Sequence, residues 1–149
     1  MSNEEINRKI AVIFATDLVG YSKHMEKDEN ATLLGLRECN KIIEPLIKKQ
    51  KGRIFNTGGD SVFAEFPSAV AAVDTAVEFQ KQIKARNDKD TTKVKLEYRI
   101  GINMGDVVKE DDNLLGDGVN IAARLEALAQ PGGITTVSYT HLTLPTNTT

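Results

Sequence analysis

The sequence predicts an α+β domain, a mixed and mainly antiparallel sheet with its helices packed on one side. Apolar runs of strand length alternate with longer stretches of helical period, and a Gly58-Gly59 pair joins two of those runs as a hairpin. Read in order, the elements run β-α-β-β-α-β-β-α-β, the pattern of a sheet layered against helices.

Ile10-Ala11-Val12-Ile13-Phe14 is nearly continuous in apolar residues, as a central strand buried on both faces requires. From Asn30 to Gln50, Leu33, Leu36, Cys39, Ile43, Leu46 and Ile47 recur at helical spacing; Gly52 ends the segment and Pro45 bends it. Arg53 to Thr57 and Ser61 to Phe66 flank the glycine pair, which puts Asp60 at a hairpin tip. Ser68 is placed to cap a helix whose apolar stripe is Val70, Val73, Val77 and Ile83 and which runs to Arg86. After the polar turn 87–92, Leu96 to Gly105 alternates as a strand and turns through Gly105-Asp106 into Val107-Val108-Lys109. Asp117 is placed to cap a helix carrying Val119 to Leu128, with Ile121, Leu125 and Leu128 facing the core. Pro131-Gly132-Gly133 stops it, and Ile134 to Val137 opens another strand.

At 149 residues the chain fits one domain, long enough to bury a core without disulfides or a structural metal. A net charge of −2, with 27% charged residues, offers no basic surface for a nucleic-acid backbone. A mononucleotide is the better ligand. Cys39 is the single cysteine and falls on the apolar stripe, so it is assigned to the core; His24 and His141 lack ligand spacing and are assigned to the surface. No signal segment and no apolar stretch of bilayer length is present, which predicts a cytoplasmic location. The one compositional break comes late. Threonine dominates residues 138–149, which carry no acidic or basic side chain apart from His141, so the domain is expected over 1–137 with a non-native or disordered tail after it.

Asp17 closes an apolar strand with Gly20 three residues on, and Asp60 follows the glycine pair. Hard divalent cations take oxygen ligands, and they accept one or two rigid carboxylates plus substrate phosphates more readily than an all-protein cage. Two acids brought to one spot repel each other, and a cation relieves the repulsion. Asn120 and Arg124 are four apart and share one helix face, while Ala122 and Ala123 keep that helix slim enough to approach a partner surface. The bland alternatives are a helix-capping Asp17, a turn-filling Asp60 and an Arg124 paired with a nearby glutamate.

The Asp17 strand with its Gly20 turn, the Gly59-Asp60 hairpin and Gly116-Asp117-Gly118-Val119-Asn120-Ile121-Ala122-Ala123-Arg124 occur in that order. Together they resemble the catalytic domain of the class III nucleotidyl cyclases, the adenylate/guanylate cyclase family, over residues 8 to 137. The resemblance implies a ferredoxin-like plait that converts a purine nucleoside triphosphate, ATP ahead of GTP, to a 3′,5′-cyclic mononucleotide and pyrophosphate. It implies two Mg2+ or Mn2+ ions bridged by Asp17 and Asp60, with the Leu18 carbonyl as a further ligand. It also implies a nucleotide held by Val19, Gly20, Tyr21, Ser22 and Gly59, an Asn120 that orients the ribose, and an Arg124 that stabilises charge on the pentavalent phosphorus. The site implied is that of a head-to-tail homodimer, with carboxylates from one subunit and the asparagine-arginine helix from the other.

Asn56 and Asn113 stand where many adenylate cyclases carry a base-reading lysine and aspartate; an amide both donates and accepts, so the pair suits either purine. The lysine that contacts the triphosphate further along the family's domain has no counterpart, because Lys109 is the last lysine. The chain as it stands is therefore expected to turn over weakly or not at all. Two other readings remain open. One is a cyclase-like module that binds nucleotide or dimerises without turnover. The other is a diguanylate cyclase-like enzyme, which Gly58-Gly59-Asp60 resembles, although Ser61 replaces that family's glutamate and that family lacks the Val119 to Arg124 motif.

Overall fold

A computed structural model describes residues 7–90 and 93–136. The elements are β1 (Asn7–Leu18), α1 (Tyr21–Lys27), α2 (Glu29–Lys49), β2 (Arg53–Gly58), β3 (Ser61–Phe66), α3 (Ala69–Lys89), β4 (Tyr98–Glu110), β5 (Asn113–Leu115), α4 (Asp117–Leu128) and β6 (Ile134–Thr136). The strands form one sheet in the order β2-β3-β1-β4-β5, with β6 also paired to β4. Every pairing is antiparallel except β4 with β6. The fold is thus the α+β plait expected, with β1 and β4 at its centre. Val137, His141 and the 138–149 tail lie outside the described residues.

The continuous apolar run of β1 serves two cores. Val12, Phe14 and Leu18 join residues of α2 and α3 on one face, while Ala11, Ile13 and Ala15 join Ala122 of α4 on the other. The helices therefore do not all pack on one side; α4 covers the face opposite α2 and α3. Missing side chains permit its close approach. A Cβ on Gly101 of β4 would collide with the Glu126 amide nitrogen and the Ala122 carbonyl, and one on Gly118 would come within 2.6 Å of the Asp106 carbonyl.

Several local expectations change for the same reason. β4 runs unbroken through Gly105-Asp106, and the hairpin turn comes at Asp111 (φ 55) before β5. Gly105 lies under Gly118 of α4, so it serves helix packing instead of a turn. In α3 the buried face is Ala71, Ala72, Thr75, Ala76, Phe79 and Ile83, whereas Val70 is 69% exposed. The larger valines had suggested a stripe that the small alanines fill. Ser68 caps this helix as expected, accepting from the Ala71 amide at 3.1 Å. In α4 the N-cap is Gly116 (φ 108), Asp117 is the first helical residue without a capping bond, and Gly118, Ala122 and Glu126 face the sheet. Ile121 and Leu128 are exposed instead. Asp28 caps α2 through a 3.0 Å bond from Ala31, and the helix continues through Pro45 to Lys49. Cys39 is buried in the core, as its stripe position requires.

Gly101→Ala is expected to lower stability by about 1–3 kcal/mol, the range for overpacking a filled contact. Urea unfolding monitored by circular dichroism measures it, and an unchanged midpoint would show that α4 is not seated on this glycine.

Candidate active site

β1 reaches its end at Leu18, and the β2–β3 hairpin brings Asp60 to the same place. Asp60 follows Gly59, whose φ of 58 makes the tight turn, and its Oδ2 accepts a 2.9 Å hydrogen bond from the Leu18 amide. The bond ties the hairpin tip to the strand end that bears Asp17. Burial raises the Asp60 carboxyl above its usual range; the Leu18 amide and its own amide oppose this, and the charge of Asp17 adds to it. A residue that merely filled a turn would not bridge two elements. Asp17 does not cap α1 either, because the N-cap is Gly20 with no side-chain bond.

A third acid lies beneath these two. Glu126 of α4 is only 8% exposed, and burial pushes its carboxyl up to about 8, with a hydrogen bond to Asp17 and the charge of Asp17 acting the same way. Arg99, which faces Asp17 across the β1–β4 register, pulls in the opposite direction. Burial and the neighbouring Asp17 thus both favour the neutral form of Glu126. Glu126 is not among the site residues predicted from sequence. Its signal was a glutamate in the Gly118, Ala122, Glu126 series, the one charged residue on the sheet-facing row.

The glycine turn after β1 sits beside this cluster. Gly20 is left-handed (φ 68), and the Tyr21 ring lies 3.9 Å from where a Cβ on Gly59 would stand, so the turn and the hairpin touch. Val19 donates its amide to the Glu97 carbonyl at 2.8 Å, which leaves it engaged; Gly20, Tyr21 and Ser22 carry the remaining amides of this turn. Asn56 is exposed on β2 beside the bulge between Ile54 and Asn56. Asn113 starts β5 and turns its Oδ1 to accept from Leu114 at 2.9 Å, which leaves its NH2 group to donate. Arg53 of β2 donates to the Asp112 carbonyl before β5 at 2.7 Å, so the sheet curls until its outer strands meet, and Asn113 pairs with Glu110 at the end of β4 that lies against the start of β1, away from Asp17.

Asn120 and Arg124 are not brought to the carboxylates. At 3.6 residues per turn they lie about 160° around α4 from the sheet-facing Ala122, and both are exposed. Arg124 has no ion pair among the described residues, so the paired-glutamate alternative fails.

The donor set fits hard cations: two carboxylates, one fixed by a backbone bond and raised in part by the other's charge. Among the described residues no three histidine, cysteine or carboxylate side chains gather to cage an ion. An ion here would draw its further ligands from backbone and substrate. No helix among the described residues is long and apolar enough to cross a membrane.

A family model described as the adenylate and guanylate cyclase catalytic domain matches residues 3–149. The chain is 45% identical over 135 residues to putative adenylate cyclase 3 of Rhizobium meliloti, a match covering 90% of this chain and 23% of that protein. It is 31% identical over 129 residues to an adenylate cyclase of Streptomyces coelicolor, covering 85% of this chain and 32% of that protein. The chain thus spans less than a third of either relative. Among solved structures, an adenylate/guanylate cyclase/hydrolase from Silicibacter pomeroyi is similar with a TM-score of 0.79 and 40% identity, over 87% of this chain and 76% of that one. The adenylyl cyclase CyaB from P. aeruginosa gives 0.76 and 28%, over 87% and 77%.

Glu126 generates a pH prediction. Its folded-state pKa is raised, so between its ordinary value and about 8 the folded chain holds a proton that the unfolded chain has lost, and stability falls as pH rises across that window. Asp60 shifts in the same direction. Glu126→Gln is expected to flatten the metal-free fall, which has a limit of about 1.4 kcal/mol per pH unit for one group. Urea titrations from pH 5 to 8 read this; parallel profiles for variant and parent would mean that Glu126 is not held neutral.

Proposed function

The chain belongs to the adenylate and guanylate cyclase catalytic-domain family, and on that premise we propose that it closes a purine nucleoside triphosphate, ATP ahead of GTP, to a 3′,5′-cyclic mononucleotide and pyrophosphate. The observation that carries the reading is the Leu18–Asp60 bond, which holds Asp60 within the field of Asp17.

Two divalent cations, Mg2+ or Mn2+, supply activation of the ribose 3′-hydroxyl and charge neutralisation of the phosphates when bound. Asp17 and Asp60 hold them, with the Leu18 carbonyl adjacent. Glu126 supports this by donating to Asp17, which fixes the direction of that carboxylate. The Gly20 turn presents the Tyr21 and Ser22 amides to the phosphates. Asn120 orients the ribose, and the always-charged Arg124 guanidinium neutralises charge developing on phosphorus. Asn56 and Asn113 flank the base.

Because Asn120 and Arg124 face outward from α4, they complete the site of a second copy. Exposed Ile121 and Leu128 surround them on that helix, with Leu115 just before it. Large apolar side chains exposed beside functional polar groups suit an interface. A closed two-fold homodimer gives two equivalent sites.

Mass spectrometry of products from ATP and GTP with Mn2+, using the full-length protein, tests the reaction. A cyclic mononucleotide is expected; a cyclic dinucleotide or no product contradicts it. Asp17→Asn and Asp60→Asn are each expected to abolish formation, and more than a few per cent of activity in both would remove them as cation ligands. Arg124→Ala is expected to slow turnover by about 10²–10³ with nucleotide binding nearly unchanged. A variant that weakened binding alone would make Arg124 a ground-state contact.

A further inference from the structure

β4 turns Gly101, Asn103 and Gly105 in alternation toward α4. The two glycines let helix and strand meet backbone to backbone, with the Ala122 carbonyl over Gly101 and the Gly118 Cα over Gly105. They fix how close α4 lies. Helices are commonly locked by side-chain ridges set into grooves, and a glycine has no ridge to offer, so the two glycines put nothing in the way of a roll about the helix axis.

Asn103 supplies that stop. Its side chain is 4% exposed, and its Nδ2 donates at 3.0 Å to the Gly118 carbonyl in the first turn of α4. A buried amide costs stability unless it is hydrogen-bonded, so an apolar residue would serve packing alone with less risk. The cross-strand partner of Asn103 is buried Ile13, about 13 Å along β1 from Asp17 at 3.3 Å per residue. The bond is remote from the carboxylates of its own copy. It is close to what α4 turns outward, because Gly118 shares a helix turn with exposed Asn120, and exposed Arg124 follows on the same face. Arg99 pins the other end of α4 through the Ala129 carbonyl at 2.8 Å, but Arg99 also faces Asp17. Asn103 is the pin that can be removed without touching the acids.

The leverage is large. A helix with its side chains is about 10–12 Å across, so a roll of about 10° moves an outward tip by about 1 Å. A misplacement of about 1 Å at catalytic groups can cost about a hundredfold in rate.

We propose that Asn103 is a positioning residue for the second half of the site: through Gly118 it sets the roll of α4, and so the placement of Asn120 and Arg124 against the nucleotide on the other copy's carboxylates. This rests on the cyclase reading and its two-copy site.

Turnover by the full-length protein, alone and in subunit mixtures, tests it. Asn103→Ala empties the position and Asn103→Leu fills it with a side chain of similar branching; both remove the donor. Each is expected to turn over at least about tenfold more slowly than the parent. Thr75→Val removes a comparably buried hydroxyl, which bonds the Ala71 carbonyl within α3, and is expected to match the parent. Mixing then assigns the defect to one half of the site. Exchanged with Asp17→Asn, an Asn103 variant is expected to regain activity, since one site joins intact carboxylates to a correctly seated helix. Exchanged with Arg124→Ala it is expected to gain nothing, since every site then has an altered helix. Parent-level turnover by either Asn103 variant, or rescue of Arg124→Ala, overturns the inference. So does failure to rescue Asp17→Asn where Arg124→Ala rescues it, because Asn103 would then serve the fold of the whole subunit. If Arg124→Ala and Asp17→Asn do not rescue each other, it is the two-copy reading that fails, and this inference falls with it.

Discussion

The contact between α4 and β4 is made of backbone, because Gly101 and Gly118 put no Cβ between helix and strand. Two consequences follow from that one seat. The inner face of α4 delivers Glu126 to Asp17, beneath the end of β1. The outer face necessarily turns Asn120, Ile121, Arg124 and Leu128 to solvent. A helix is rigid over three turns, so fixing one face to the sheet fixes the other to a prospective partner. The same seat therefore sets both the floor of the carboxylate cluster and the orientation of the proposed second half of the site.

Charge is the constraint that the cluster has to satisfy. Asp60 is partly buried, accepts from Leu18 and feels Asp17; Glu126 is buried, and the same burial and neighbours favour its neutral form. A proton on Glu126 relieves one repulsion inside the cluster, and Arg99 offsets another. The repulsion between Asp17 and Asp60 is left for something cationic.

Local features were legible in the sequence because their causes are local. The Gly58-Gly59 pair dictates a tight turn whatever surrounds it, Ser68 supplies an oxygen at a helix start, and Cys39 sits on an unambiguous apolar stripe. Features that depend on which face meets which neighbour were not. Gly105 read as a turn because glycine permits one, although here it makes room for Gly118. Val70 and Leu128 read as core because they are large and apolar, but small Ala72, Ala76 and Ala122 face the sheet, where closeness matters more than bulk. Ile121 and Leu128 share the pattern of a core stripe with that of an interface, and hydrophobic periodicity does not distinguish the two. Glu126 was hidden for a related reason: a buried acid becomes intelligible only once its partner is known to lie opposite. Of the candidate site, the strand-end acids were the most readable part, since rigid position and chemistry coincide in adjacent residues.

The central claim is that each site joins the carboxylates of one copy to the asparagine-arginine helix of another. Asp17→Asn and Arg124→Ala forms of the full-length protein, each inactive alone, test it when mixed under conditions of demonstrated subunit exchange. Half the dimers of an equal mixture then carry one site with both defects and one with none, so the account predicts recovery to about a quarter of wild-type activity. Restoration of no activity would contradict it, and would place the catalytic groups within one subunit or outside these residues altogether.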